Sequence, residues 1–350
     1  MRRLLTSFGS PQAITVASTD ALAEVIGPAR AESLAQAPDR HVERLAATRA
    51  WLAEAPGRRG VMTLADADYP PQLLQSADPP LLLYLDGRRE LLGAASVAIV
   101  GSRKPTPQGL ENARRLAREL GERGWVVVSG LAAGIDGAAH TGALLAEAGT
   151  VAVVGTGLDQ VYPASHRALA GRIAERGLLC SEFPVGTPPL REHFPQRNRI
   201  IAGLARGTLV VEAALKSGSL ITARLAAEAG REVFAVPGSI QSPQARGCHA
   251  LLRDGAKLVE TVDDVLDEFG PGASPTTRAA AAGPDADADC VEALEDPVLR
   301  ALGHEPTTLD ALIARCGWPS PELGARLLEL ELDGRVARLP GGLFQRCGKV

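Results

Sequence analysis

The sequence predicts an α/β protein: an open, doubly wound, mostly parallel sheet with helices on both faces, a small helical domain before it and a winged helix domain after it. Three observations carry that expectation. Between residues 61 and 270 seven continuous apolar runs recur, SVAIVG, WVVVSG, TVAVVG, LLCSEF, TLVVEA, EVFAVPG and AKLVET. Uninterrupted runs of this kind mark strands buried on both faces. Amphipathic segments of helix length, such as GLENARRLARELGERG at 109–124, lie between them, and this alternation builds parallel sheets. Residues 291–350 then read as helix, turn, helix, turn, helix and a β-hairpin, the order of a winged helix-turn-helix.

In chain order, residues 1–60 are rich in Ala, Leu, Glu and Arg at helical spacing, with a turn at Gly27-Pro28 opening a helix. Residues 61–270 carry the sheet. Residues 271–290, PGASPTTRAAAAGPDADADC, have no apolar periodicity and are expected to form a flexible linker. In the final domain the hairpin turns around Pro340-Gly341-Gly342, and the third helix, SPELGARLLELELDG, sets Glu322, Glu329, Glu331 and Asp333 against Arg326 alone. That balance repels phosphates, and Leu323, Leu327, Leu328 and Leu330 supply a small core. A protein-contact or regulatory role is therefore favoured over reading of duplex DNA.

Bulk composition excludes several classes. The net charge of −4 gives no general attraction for nucleic acid or anionic membrane, so an anion site must be a local cluster. Aromatic residues make up 3% of the chain, which argues against platforms of several stacked rings. Cys180, Cys248, Cys290, Cys316 and Cys347 lie far apart without a C-x-x-C pair, as expected of reduced thiols in a cytoplasmic protein. No signal-peptide core, membrane span or metal-binding spacing is present.

The chemistry concentrates in the turns after the apolar runs. In an open parallel sheet, strand carboxyl ends and the following helix N-termini line one edge, where free N–H groups attract anions. Five such turns are expected to face one crevice: GSR (101–103), SGLAAGID (129–136), GTG (155–157), KSGS (216–219) and PGS (237–239). Lys216 is one of four lysines in 350 residues, and it stands with Arg103 as a positive group beside small, hydroxyl-bearing residues. Arg197 and Arg199 flank Asn198 at the start of a helix, where a cation opposes the dipole. Several cations around one Gly-lined crevice point to a phosphate backbone.

The stretches VAIVGSRKPT, VSGLAAGIDGAAH, VAVVGTGLDQVYP, CSEFPVGTPPLREHFPQRNRIIAGLA, VVEAALKSGSLITARLAAEAGREVFAVPG and GCHALLRDGAKLV resemble the DprA family, also called Smf. The resemblance is dense over 61–270 and extends into the last domain through LLELELDGRV. It implies an extended Rossmann-like fold and a cytoplasmic dimer without established catalytic activity. Such a protein binds single-stranded DNA, protects incoming strands and loads the RecA recombinase in natural transformation and homologous recombination. Carried over by motif, the nucleic-acid-binding residues are Ser102, Arg103, Arg197, Asn198, Arg199, Lys216, Ser217, Gly218 and Ser219, with Arg167 after the Tyr-Pro motif as a weaker candidate. No cofactor is implied. The family usually has a longer helix-hairpin-helix (SAM-like) segment at its start; this chain begins almost inside it, leaving a truncated domain or an incorrect start codon open.

Other readings of the same residues compete. GTGLDQ lacks the third glycine and the acid that a dinucleotide fingerprint needs. Asp136 and His140, four residues apart, could pass for an acid–base pair, but a helix-capping Asp136 and a His140 packed under the crevice are favoured. The main rival is an enzyme of the phosphoribohydrolase type with Glu212 as catalyst, although the Pro-Gly-Gly-x-Gly-Thr-x-x-Glu signature is absent. Glu212 is favoured as a carboxylate that orients neighbouring turns. A third reading makes the chain a scaffold for a recombinase.

Overall fold

The structure, a computed structural model, describes residues 2–35, 38–270, 296–303, 307–339 and 342–347. The expected linker at 271–290, Cys290, and Pro340 and Gly341 of the expected hairpin turn lie outside the described residues.

Nine strands form one sheet: β1 (Arg59–Thr63), β2 (Leu82–Gly87), β3 (Ser96–Val100), β4 (Val126–Ser129), β5 (Thr150–Val154), β6 (Leu178–Ser181), β7 (Gly207–Val210), β8 (Glu232–Ala235) and β9 (Lys257–Leu258). Their order is β1-β2-β6-β5-β4-β3-β7-β8-β9. From β6 to β9 every pairing is parallel, while β1 and β2 join as an antiparallel edge. All seven apolar runs of the sequence are strands, and β3 to β7 are buried at every position. That is the signature of strands covered on both faces.

Side-chain alternation divides the core accordingly. Ala98 and Val100 pack with Ile200, Ile201 and Leu204 of the helix His193–Leu204 on one face. Val97 and Ile99 pack with Ala113, Leu116 and Leu120 of the helix Pro107–Glu122 on the other.

Among the described residues five helices precede the sheet, and the first four enclose a small core of Leu4, Ile14, Leu22 and Ala31. As the sequence predicts, Gly27 takes a positive φ of 85° and Pro28 opens the next helix. The fifth, Pro38–Glu54, reaches the sheet through Trp51, which is buried in a cluster with Leu131, Ala152 and Ile173. Its ring meets Tyr84 edge-on at 6.4 Å, and the Arg59 guanidinium lies 4.9 Å over it.

At the other end the helices Pro297–Leu302, Leu309–Cys316 and Ser320–Leu332 pack under a small sheet of β10 (Thr307–Thr308), β11 (Val336–Leu339) and β12 (Leu343–Arg346), ordered β10-β12-β11. Leu323, Leu327 and Leu330 are buried there, but Leu328 is 57% exposed, contrary to expectation. On a helix Leu328 stands about 100° round from Leu327, off the core stripe. Arg326, the single cation of that helix, is taken by Asp296 at 2.5 Å and Glu329 at 2.6 Å. Among the described residues, no helix is long and apolar enough to cross a membrane.

Trp51→Ala removes the buried ring through which the helix Pro38–Glu54 meets the sheet. It is expected to cost about 3 kcal/mol of unfolding free energy in chemical denaturation.

Candidate functional site

Strand order reverses at β3. The chain passes from β3 to β4 on one side and later places β7 on the other, so the loops after β3 and β7 diverge. A crevice opens at such a point. Here it is a groove of about 800 Å3.

Of the residues singled out in the sequence, Ser102, Arg103, Arg197, Asn198, Lys216, Ser217, Gly218 and Ser219 all line this groove. Arg103 and Lys216 are exposed and form no ion pair among the described residues. Ser217 Oγ lies 2.7 Å from Ser219 Oγ and accepts the Ser219 N–H at 3.3 Å, within the opening turn of the helix Ser219–Glu228.

Two candidates are placed elsewhere. Arg199 is turned from the groove: it donates to the Asp78 carbonyl at 2.6 Å and pairs with the carboxylates of Asp78 and Glu182. The cause is helical. The helix begins at His193, not at Arg197, so Arg199, five positions on from Phe194 and about 140° round the helix, leaves its face. Phe194, Arg197 and Asn198, at spacings of three and four, do share one. Arg167 is exposed at the first position of the helix Arg167–Arg176 and does not line the groove.

Sequence reasoning missed four groove residues: Lys104, Arg191, Tyr162 and Phe194. Arg103 lies 5.4 Å over the Phe194 ring, and Tyr162, 47% exposed, stands 5.6 Å from it. A chain with few aromatics thus brings two rings to one place. The period of Phe194 with Arg197 and Asn198 was the available signal.

Arg197 differs from the other cations. It is 4% exposed, its Nη1 lies 4.0 Å from Asp136 Oδ2, and its Nε has no hydrogen-bond partner among the described residues. Burial pushes its guanidinium down to about 10, which leaves it charged at neutral pH. Burial likewise raises the Asp136 carboxyl. Gly130 makes the room, since a Cβ there would fall 1.2 Å from Arg197 Nη1.

Asp136 does not cap its helix in the ordinary way. Its Oδ2 accepts from the N–H groups of Gly130 and Ala132 at 3.2 and 3.3 Å, in the loop before the helix Ile135–Ala143. His140, fully buried, holds the amide between them: Nε2 accepts from Leu131 N–H at 3.2 Å. Thr150 Oγ1 donates to the Val127 carbonyl at 2.6 Å, so His140 Nδ1–H donates to that hydroxyl at 2.8 Å. The ring is therefore neutral, and burial pushes it down to about 3. Leu131, at φ 56°, is held through its carbonyl as well, 3.1 Å from His166 Nδ1. The three successive amides are consumed internally and are not anion donors.

Only three of the five expected turns reach the groove. GTG packs beneath the neighbouring loop, with Gly157 N–H donating to the Thr187 carbonyl at 3.0 Å. Gly238 and Ser239 line a separate hollow of about 240 Å3 together with Glu212. Glu212 accepts the Thr106 N–H at 2.9 Å and its hydroxyl at 2.5 Å, while Thr106 Oγ1 caps the helix Pro107–Glu122 by accepting Gly109 N–H at 3.0 Å. A Cβ on Gly109 would fall 2.4 Å from that carboxyl. Burial raises the Glu212 carboxyl, and its hydrogen bonds join two turns.

Residues 60–270 match the family model described as DNA recombination-mediator protein A, and 276–342 match the DprA winged helix domain. The chain belongs to the DprA family. Protein Smf of Escherichia coli K12 is 45% identical over 79% of this chain and 75% of its own length. The DNA processing protein DprA of Streptococcus pneumoniae R6 is 48% identical over 59% of this chain and 73% of its own. A solved DprA structure from Streptococcus pneumoniae superposes with a TM-score of 0.59 at 40% identity, over 71% of this chain and 90% of that one. A DprA structure from Helicobacter pylori, reported for its single-stranded DNA binding mode, gives 0.55 at 33% identity, over 60% and 95%. The mostly parallel α/β sheet with a winged helix behind it is thus the DprA fold.

The neutral, buried His140 makes stability depend on pH. Between about 3 and the unfolded value of about 6.5, the unfolded chain binds a proton that the folded one refuses, so stability falls as pH drops through that window. Asp136 acts oppositely: its raised folded value makes stability fall as pH rises through its own window. His140→Gln is expected to remove about 2 kcal/mol of the stability difference between about pH 7 and pH 5, read from urea unfolding at both.

Proposed function

We propose that this chain binds single-stranded DNA in the groove, contacting phosphates with Arg103, Lys104, Arg191 and Lys216, with Ser217, Gly218 and Ser219 as donors beside them. The observation that carries the reading is charge. Five cations and one acid, Asp136, line the groove of a protein whose net charge is −4, so the attraction is local. Single strands are favoured over duplex because the faces of Phe194 and Tyr162 can stack only on unpaired bases.

Binding without turnover is the reading we adopt, since Glu212 faces the other hollow and holds a helix cap. In the setting the family implies, a cytoplasmic dimer would shield incoming strands and pass them to RecA during transformation. The H. pylori relative supports the single-strand binding by what it is reported to bind.

Each phosphate contact contributes about 0.7 to the slope of log affinity against log salt for a single strand. Fluorescence anisotropy on oligo-dT is expected to show that slope reduced by about 0.7 in Arg103→Ala and in Lys216→Ala, and unchanged in Arg199→Ala. Full slopes in the first two variants would remove the groove from the reading. Glu212→Gln is expected to leave binding intact; N-glycosidic hydrolysis of a nucleotide by the wild type, lost in that variant, would make Glu212 a catalyst.

A further inference from the structure

The segment after β8 borders the groove but lies outside its lining. Three hydrogen bonds sew it to the loops that carry the groove's cations. Ala213 N–H donates to the Gln244 carbonyl at 2.8 Å, Gly247 N–H donates to the Ala213 carbonyl at 2.7 Å, and Ser102 Oγ lies 3.4 Å from Gln244 Oε1. Between these anchors, Arg246 opens the eight-residue helix Arg246–Arg253. It is exposed and has no ion pair among the described residues. A cation in a first helical turn opposes the dipole and lowers helix stability, so nothing local accounts for an arginine there.

We propose that Arg246 extends the binding surface past Lys216, taking a phosphate of a single strand after it leaves the groove. The proposal rests on the single-strand reading above. Sheet order gives the path. Tyr162 follows β5, Arg103 follows β3, Lys216 follows β7 and Arg246 follows β8. These strands stand in that spatial sequence, with β4 between the first two. With neighbours about 4.8 Å apart, the line from β5 to β8 spans about 19 Å, more than one nucleotide's reach. A strand laid across the carboxyl edge meets Arg246 only if it continues beyond the groove.

Oligonucleotide length separates the two parts of the surface. Anisotropy would be measured across a salt series with oligo-dT of about 4 and about 20 nucleotides, within and beyond the range of single binding units. The proteins would be wild type, Arg246→Gln, Arg246→Glu and Lys216→Ala, each checked for an unchanged thermal midpoint. For the long strand, Arg246→Gln is expected to lower affinity threefold to tenfold at low salt and to cut the slope by about 0.7. Arg246→Glu is expected to lower affinity further. Both should bind the short strand as the wild type does, while Lys216→Ala weakens both lengths. Arg246 variants indistinguishable from wild type on the long strand, or equally weakened on both lengths, would overturn the proposal. A Lys216→Ala protein that binds both lengths normally would instead overturn the groove reading on which it rests.

Discussion

Burying the Arg197 guanidinium is the constraint from which the site's geometry follows. A buried charge needs compensation, and the chain supplies it by placing Asp136 4.0 Å away and leaving Gly130 without a side chain. Asp136 then needs partners of its own and takes the amides on either side of Leu131, while His140 takes the amide of Leu131 itself. One cation thus fixes a loop, the first turn of a helix and the face of another helix. The exposed cations stand on the rim of that arrangement.

The sheet was legible because its strands are buried on both faces. Parallel pairing under two layers of helices leaves no solvent face to break an apolar run, so each of β3 to β7 stands out in the sequence. β1 and β2 were not legible: RGVMT and LLYLDG are partly exposed and antiparallel, and their alternation is easily taken for loop. The winged helix was legible in its order of elements, but a strict apolar count assigned Leu328 to a core that helical geometry denies it.

The site was legible at Arg103 and Lys216, where a cation stands beside glycine and serine in the turn after a strand. It was not legible at Arg199, because facing depends on the helix start, and the start at His193 lies four residues before Arg197. The same displacement hid Phe194. GTG and PGS were expected at the groove because every turn after a strand lies on the same edge. Sharing an edge is weaker than sharing a crevice, and only the turns nearest the reversal of strand order achieve the second.

Leu131 carries a consequence of another kind. A leucine at φ 56° is strained, and it keeps that backbone because His140 holds its amide and His166 its carbonyl. The floor of the groove is therefore already ordered before any ligand arrives. What must still lose freedom on association are the long side chains above it, Arg103, Lys104, Arg191 and Lys216, at about 0.5–1.5 kcal/mol each. The entropy of complex formation is concentrated in flexible arms over a rigid base, so the protein can follow an irregular, changing chain without remodelling its own backbone.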